Sequence, residues 1–171
     1  GMGELAIAAW RLLFAAALLT PFALAFGGHE LRPFSRRDWQ RIAAAGVLLA
    51  VHFAAWISSL AFTSVASSVA LVSSHPLWVA LIGYSLFGER AGCRTFVGIA
   101  LTMAGTATIL WSDRSTGIGS APLLGNLLAI LGAISVAGYI LLARSMRAAI
   151  GMLGYVWILY SIAAMVLVAA A

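Results

Sequence analysis

Six stretches of the chain run apolar for about 20 residues each, with polar residues collected between them. They cover 5–26, 42–62, 66–87, 95–112, 122–143 and 151–171. That length is what a helix needs to cross the hydrocarbon core of a bilayer. The stretches are apolar all round instead of along one stripe, as lipid-embedded helices are. The links between them are short: HELRPFSRR, TSVAS, ERAGCR, SDRSTGIGSA and SMRAAI. Short links make consecutive helices antiparallel neighbours. The pattern predicts an all-α integral membrane protein with six transmembrane helices in these 171 residues.

Composition strengthens this reading. The chain is 63% hydrophobic and 9% charged, whereas a soluble domain is about 45–50% apolar and about 25% charged. It is too poor in charge to cover itself with a solvated surface. The net charge of +5 comes from arginine alone. Eight of the ten arginines fall in alternate links: Arg32, Arg36, Arg37 and Arg41, then Arg90 and Arg94, then Arg144 and Arg147. The link after the fourth run carries only Asp113 and Arg114, which cancel. By the positive-inside rule the arginine-bearing links are cytoplasmic, and both ends of the chain lie on the other side. The expected location is a cell membrane, multi-pass, of the bacterial inner-membrane kind. Basicity of this sort sets orientation. No basic aromatic-rich patch suggests a nucleic-acid partner. The single Cys93 can form neither an internal disulfide nor a thiolate metal site.

The polar residues inside the apolar runs are the candidates for chemistry. In LVSSHPLW (residues 71–78) three hydrogen-bonding side chains precede a proline. Pro76 has no N–H and crowds the carbonyl of Val72, so it is expected to kink the helix or free that carbonyl. On a helix Ser67, Ser74, Trp78 and Ser85 fall in one sector, with Ser68 and His75 on the next stripe. On the second run His52, Trp56, Ser59 and Thr63 form a stripe at helical spacing. On the fifth, Ser135 and Tyr139 are one turn apart, and Asn126 reads as an interface residue near the outer face. Such stripes can be packing seams, because serine lets helices approach and bond across the gap. They can equally wall a cavity, since an ionisable group inside a membrane is costly to keep without a role. Two histidines with no nearby Asp, Glu or Cys are too few for a metal site. Arg11 can snorkel outward or face a vestibule with Glu4 or Asp113. Glu89 and Arg90 read as a structural pair or cap at the cytoplasmic end of the third run.

Several ordered stretches resemble the drug/metabolite transporter superfamily, EamA type. They are AAWRLLFAAALLTPFAL (8–24), RRDWQRIAAAGVLLAVHFAAWISSLAFTSVASS (36–68), ALVSSHPLWVALIGYSLFGER (70–90), VGIALTMAGTATIL (97–110) and GNLLAILGAISVAGYILLAR (125–144). The resemblance implies a ten-helix fold of two inverted repeats around a central substrate cavity. On that mapping 1–112 is the first EamA-type repeat without its opening helix, 113–121 an outer connecting loop, and 122–171 the truncated start of the second repeat. The chain then reads as a piece of a longer protein that lacks the first and the last helices.

The resemblance also implies a secondary transporter, an exporter of small metabolites such as amino acids or drug-like molecules, working by alternating access. His52, Trp56, Ser59, Ser74, His75, Trp78, Ser135 and Tyr139 are the expected substrate-cavity residues. The expected partners are a small-molecule substrate, the lipid bilayer and protons, the last through His52 or His75. No cofactor is expected, and no Walker A sequence is present to hydrolyse a nucleotide. Two other readings compete. One is a non-transporting membrane fragment. The other is an intramembrane serine hydrolase using Ser73 or Ser74 with His52 or His75, although no nucleophile signature surrounds those serines.

Overall fold

The computed structural model describes residues 2–26, 35–117, 119–146 and 151–171. Arg32 and Arg147, which entered the orientation argument, lie outside the described residues. Seven helices are described: α1 (Met2–Phe26), α2 (Arg36–Ser59), α3 (Val65–Val72), α4 (His75–Phe87), α5 (Cys93–Thr116), α6 (Pro122–Met146) and α7 (Met152–Ala170). The expected six spans are present by length and composition, with α3 and α4 together, Val65–Phe87, making one of them. No strand occurs among the described residues.

Local chemistry sets the helix ends. Before α2, Ser35 and Asp38 form a reciprocal cap. The Asp38 N–H donates to Ser35 Oγ (3.2 Å), and the Ser35 N–H donates to Asp38 Oδ2 (3.1 Å). This is the capping-box arrangement, with aspartate in place of the usual glutamate. After α4, Gly88 takes the left-handed conformation (φ 66°) and the Glu89 N–H reaches back to the Gly83 carbonyl at 3.2 Å. That closes the last turn as a Schellman motif. The Gly88–Glu89–Arg90 sequence is thus a helix stop, with both charged residues exposed. The fourth expected run extends further than its apolar residues. α5 continues to Thr116, so Asp113 sits on a helix instead of in the connecting loop.

The chain divides into two compact units. The first holds 1–54 and 139–171. In it α1 lies along α7. Ala8, Ala9, Leu12 and Ala16 of α1 are buried, as are Leu159, Ala163, Ala164 and Leu167 of α7. Small residues let helix backbones approach in lipid, where apolar burial alone gives no drive. The Trp157 Nε1–H donates to Thr20 Oγ1 (3.0 Å), whose own proton goes to the Ala16 carbonyl (2.8 Å). Ile42, Met146 and Ile158 form a buried cluster with Tyr155, Trp157 and Ile162 against it. At Gly46 an added Cβ would stand 2.5 Å from Ile162 Cγ2, so only glycine allows that approach. The Arg11 guanidinium sits over the Phe53 ring, 5.0 Å from its centroid.

The second unit holds 55–138. There α3 packs on α5. Gly125 of α6 approaches the backbone of Thr63, where a Cβ would lie 2.8 Å from its nitrogen. Gly119 has φ 106°, and a Cβ there would meet the Phe62 carbonyl oxygen at 2.4 Å. Large apolar side chains remain exposed on α5, including Leu101 and Trp111. Such faces suit contact with lipid tails.

Candidate functional site

The span from Val65 to Phe87 is interrupted, not merely bent. α3 ends at Val72, and α4 begins at His75 with Pro76 in its first turn. Proline is well placed there, because the first helical N–H groups have no intrahelical acceptor. The interruption frees carbonyls, and in lipid each must find a donor. The Ser74 N–H turns to the Leu71 carbonyl at 3.1 Å instead of Ala70. The Thr106 hydroxyl of α5 is 3.3 Å from the freed Ala70 oxygen and 2.9 Å from the Thr102 oxygen, so its one proton is shared. The Ser74 hydroxyl donates to the Leu71 carbonyl at 2.6 Å. His75 Nδ1 lies 3.3 Å from the Val72 oxygen, the carbonyl that Pro76 cannot serve. As the Nδ1–H tautomer, the ring supplies the missing donor. Ser74 is 4% exposed, whereas Ser73 is exposed.

Beside the break lies a cavity of about 320 Å³ between α4 and α5, lined by Ser74, Pro76, Leu77, Thr95, Gly98 and Thr102 among others. Trp78 is half-buried. Its indole Nε1 is buried and has no hydrogen-bond partner among the described residues.

A second polar group of side chains gathers where α2, α5 and α6 end or begin. α2 stops at Ser59, so Thr63 lies in the following turn and the predicted stripe does not continue to it on the helix. The Ser59 hydroxyl donates to the Trp56 carbonyl (2.6 Å) and shares a 2.6 Å hydrogen bond with Ser68. With the Ser59 proton committed, Ser68 is the donor. Thr63 donates to Asn126 Oδ1 at 2.9 Å. The hydroxyls of Ser64 and Ser67 both donate to Asp113 Oδ2. Ser64 also caps α3 by accepting from the Ser67 N–H at 2.9 Å. The sequence puts Asn126 at an interface but holds no hint of the Asp113 links, which join residues 46 and 49 positions apart.

The other predicted site residues divide between the units. His52 is 7% exposed and belongs to the first unit, as does Tyr139. Tyr139 lines a cavity of about 390 Å³ with Tyr155 and Tyr160. Trp56, Ser59, Ser74, His75, Trp78 and Ser135 belong to the second unit. Of these Ser59 and Ser135 are buried and Trp56 half-buried. Among the described residues no group of three or more His, Cys, Asp or Glu is positioned to hold a metal ion.

Comparison with known proteins gives two results. The EamA-like transporter family matches residues 1–111. The chain is also 32% identical over 124 residues to a protein of Rhizobium johnstonii (strain DSM 114642 / LMG 32736 / 3841) named riboflavin transporter. That match covers 71% of this chain and 39% of the relative's length. No solved structure matches.

Proposed function

Because the chain belongs to the EamA-like transporter family, we propose that it serves a secondary transporter that exports small metabolites by alternating access. Family membership over most of the chain is the observation that carries this reading. The relative's name makes riboflavin the first substrate to try, beside amino acids and drug-like compounds. The arginine-bearing links are cytoplasmic in this proposal, and the membrane is a cell membrane.

The proposed substrate-contacting residues are His52, Trp56, Ser59, Ser74, His75, Trp78, Ser135 and Tyr139. Trp78 supports this most directly. A buried N–H without an acceptor is rare in folded proteins, and a ligand is one way to satisfy it. Tryptophan walls with a few polar groups suit a solute with an apolar body. Protons, acting through His52 or His75, are the proposed coupling ion.

Transport assays in liposomes test the proposal. Vesicles holding the protein are loaded with radiolabelled riboflavin or single amino acids, and release is timed with and without a protonophore. Faster release than from empty vesicles, for at least one compound and sensitive to the protonophore, is expected. Release equal to that of empty vesicles for every compound would overturn the transport reading. Release indifferent to the protonophore would overturn proton coupling alone.

A further inference from the structure

Beside the break, hydrogen-bond acceptors outnumber donors. The Ser74 hydroxyl gives its proton to the Leu71 carbonyl (2.6 Å), and the Thr102 hydroxyl gives its proton to the Gly98 carbonyl (2.9 Å). A hydroxyl has a single proton but two lone pairs, so both oxygens are left as acceptors. Both residues line the cavity of about 320 Å³ between α4 and α5. Leu77, Ile99 and Met103 give it an apolar wall, and among the described residues no charged side chain lines it. Thr95 carries the remaining hydroxyl. It lies in the exposed first turn of α5, at the end of the span, where water can serve it. We propose that this cavity binds a small neutral molecule with an apolar body and one hydrogen-bond donor, the chemistry of a simple alcohol.

Three observations lead to that chemistry. First, the donors near the break are already committed. Besides Ser74 and Thr102, the Thr106 proton is shared between the Ala70 and Thr102 carbonyls. A ligand that brings a donor complements such a wall, and a ligand that brings only acceptors does not. Second, an ion would lie among apolar side chains with no opposite charge in the lining, which is costly. Third, there is room on the α5 side, because a Cβ added at Gly98 would meet no atom within 4 Å. Leu77, Ile99 and Met103 suit an apolar body, and the flexible methionine adapts to its shape. The cavity shares Ser74 with the proposed substrate-contacting residues, but the inference rests on its hydrogen bonds and not on transport. A lipid acyl chain would fill the space without using the two oxygens.

The test uses the protein in lipid nanodiscs and a photoreactive diazirine derivative of octanol, with adducts mapped by mass spectrometry. Adducts are expected on the wall, at Leu77, Ile99 or Met103. Cyclohexanol and its methyl ether then compete with the label. Their bodies are alike, and only the alcohol has a donor. Cyclohexanol is expected to halve the labelling at a bilayer concentration about threefold to tenfold lower than the ether, the worth of one neutral hydrogen bond. Gly98→Leu should occupy the cavity and abolish labelling of the wall, with thermal unfolding unchanged. The double variant Ser74→Ala, Thr102→Val should bring the two competitors level. Equal competition by alcohol and ether on the unaltered protein overturns the proposal, and it is the result that an acyl-chain groove would give. Absence of adducts on the wall overturns it too, as does wall labelling that survives Gly98→Leu. The competition on the unaltered protein decides the matter even where a variant fails to fold. It measures binding, so it stands whether or not transport is found.

Discussion

The two units hold their helices together by different means. In the first, helices meet through small apolar residues, with Gly46 admitting Ile162 and alanines filling the α1–α7 seam. A side-chain hydrogen bond, Trp157 to Thr20, crosses that seam. In the second, serine, threonine, asparagine and aspartate side chains join separate elements. They link Ser59 to Ser68, Thr63 to Asn126, and Ser64 and Ser67 to Asp113. The same unit contains the interrupted span. The break places a further demand on the second unit in lipid. A continuous helix satisfies its own backbone and needs only close packing from its neighbours. A broken one frees carbonyls, and the sequence near the break must bring donors to them.

The glycine contacts give the largest expected effects. Gly125→Ala would press a methyl group onto Thr63, whose backbone nitrogen and Cβ a shorter side chain would leave in place. Overpacking of this kind costs about 1–3 kcal/mol, and the upper end is expected here. Unfolding in detergent micelles would show it, and Thr63→Ser should give no relief. Gly46→Ala meets a side chain instead, so a smaller loss within that same range of about 1–3 kcal/mol is expected. Ile162→Ala should recover most of it. Rescue of Gly125→Ala, or none for Gly46→Ala, would break the contrast between a backbone wall and a side-chain wall.

Hydrogen-bond changes should have smaller effects. A double-mutant cycle of Ser59→Ala and Ser68→Ala should give a coupling near the membrane average of about 0.6 kcal/mol. A coupling near zero would mean that the second unit is held by packing after all. Pro76→Ala should be neutral or slightly stabilising, because the substituted residue would offer the Val72 carbonyl its missing N–H and let α3 run into α4. It should lower transport in the same sample. A loss of stability instead would mean that the break is needed for folding.

Much of this architecture is legible in the sequence. Apolar runs of this length announce all six spans, because a bilayer sets their length. Pro76 announces a disturbance in the third run. Its size is not legible, since a proline can bend a helix or end it, and the outcome depends on donors such as Thr106 from another helix. By its sequence Asp113 is a loop charge balanced by Arg114, yet α5 is longer than its apolar residues suggest. The partners of Asp113, Ser64 and Ser67, are set by how α3 meets α5, which no local pattern encodes. The stripe from His52 fails at Thr63 because α2 ends at Ser59. Helix periodicity says nothing about where a helix stops. Arg11 shows the same limit. Its position suggests a snorkelling or vestibule charge, and its guanidinium lies over Phe53.

The central claim is that the Trp78 indole N–H of the second unit serves transport, whereas the Trp157 indole N–H of the first unit serves folding. Two matched substitutions test it most directly, with transported substrate measured per folded molecule. Trp157→Phe removes an indole N–H that is bonded to Thr20. Trp78→Phe removes one that is buried with no partner among the described residues. Trp157→Phe should cost about 0.5–1.5 kcal/mol of stability and leave transport per folded molecule unchanged. Trp78→Phe should leave stability unchanged and lower transport per folded molecule by about threefold to tenfold, the loss of one hydrogen bond to substrate. If Trp78→Phe lowers folded protein and transport in equal proportion, or Trp157→Phe lowers transport per folded molecule as much as Trp78→Phe does, the account is contradicted.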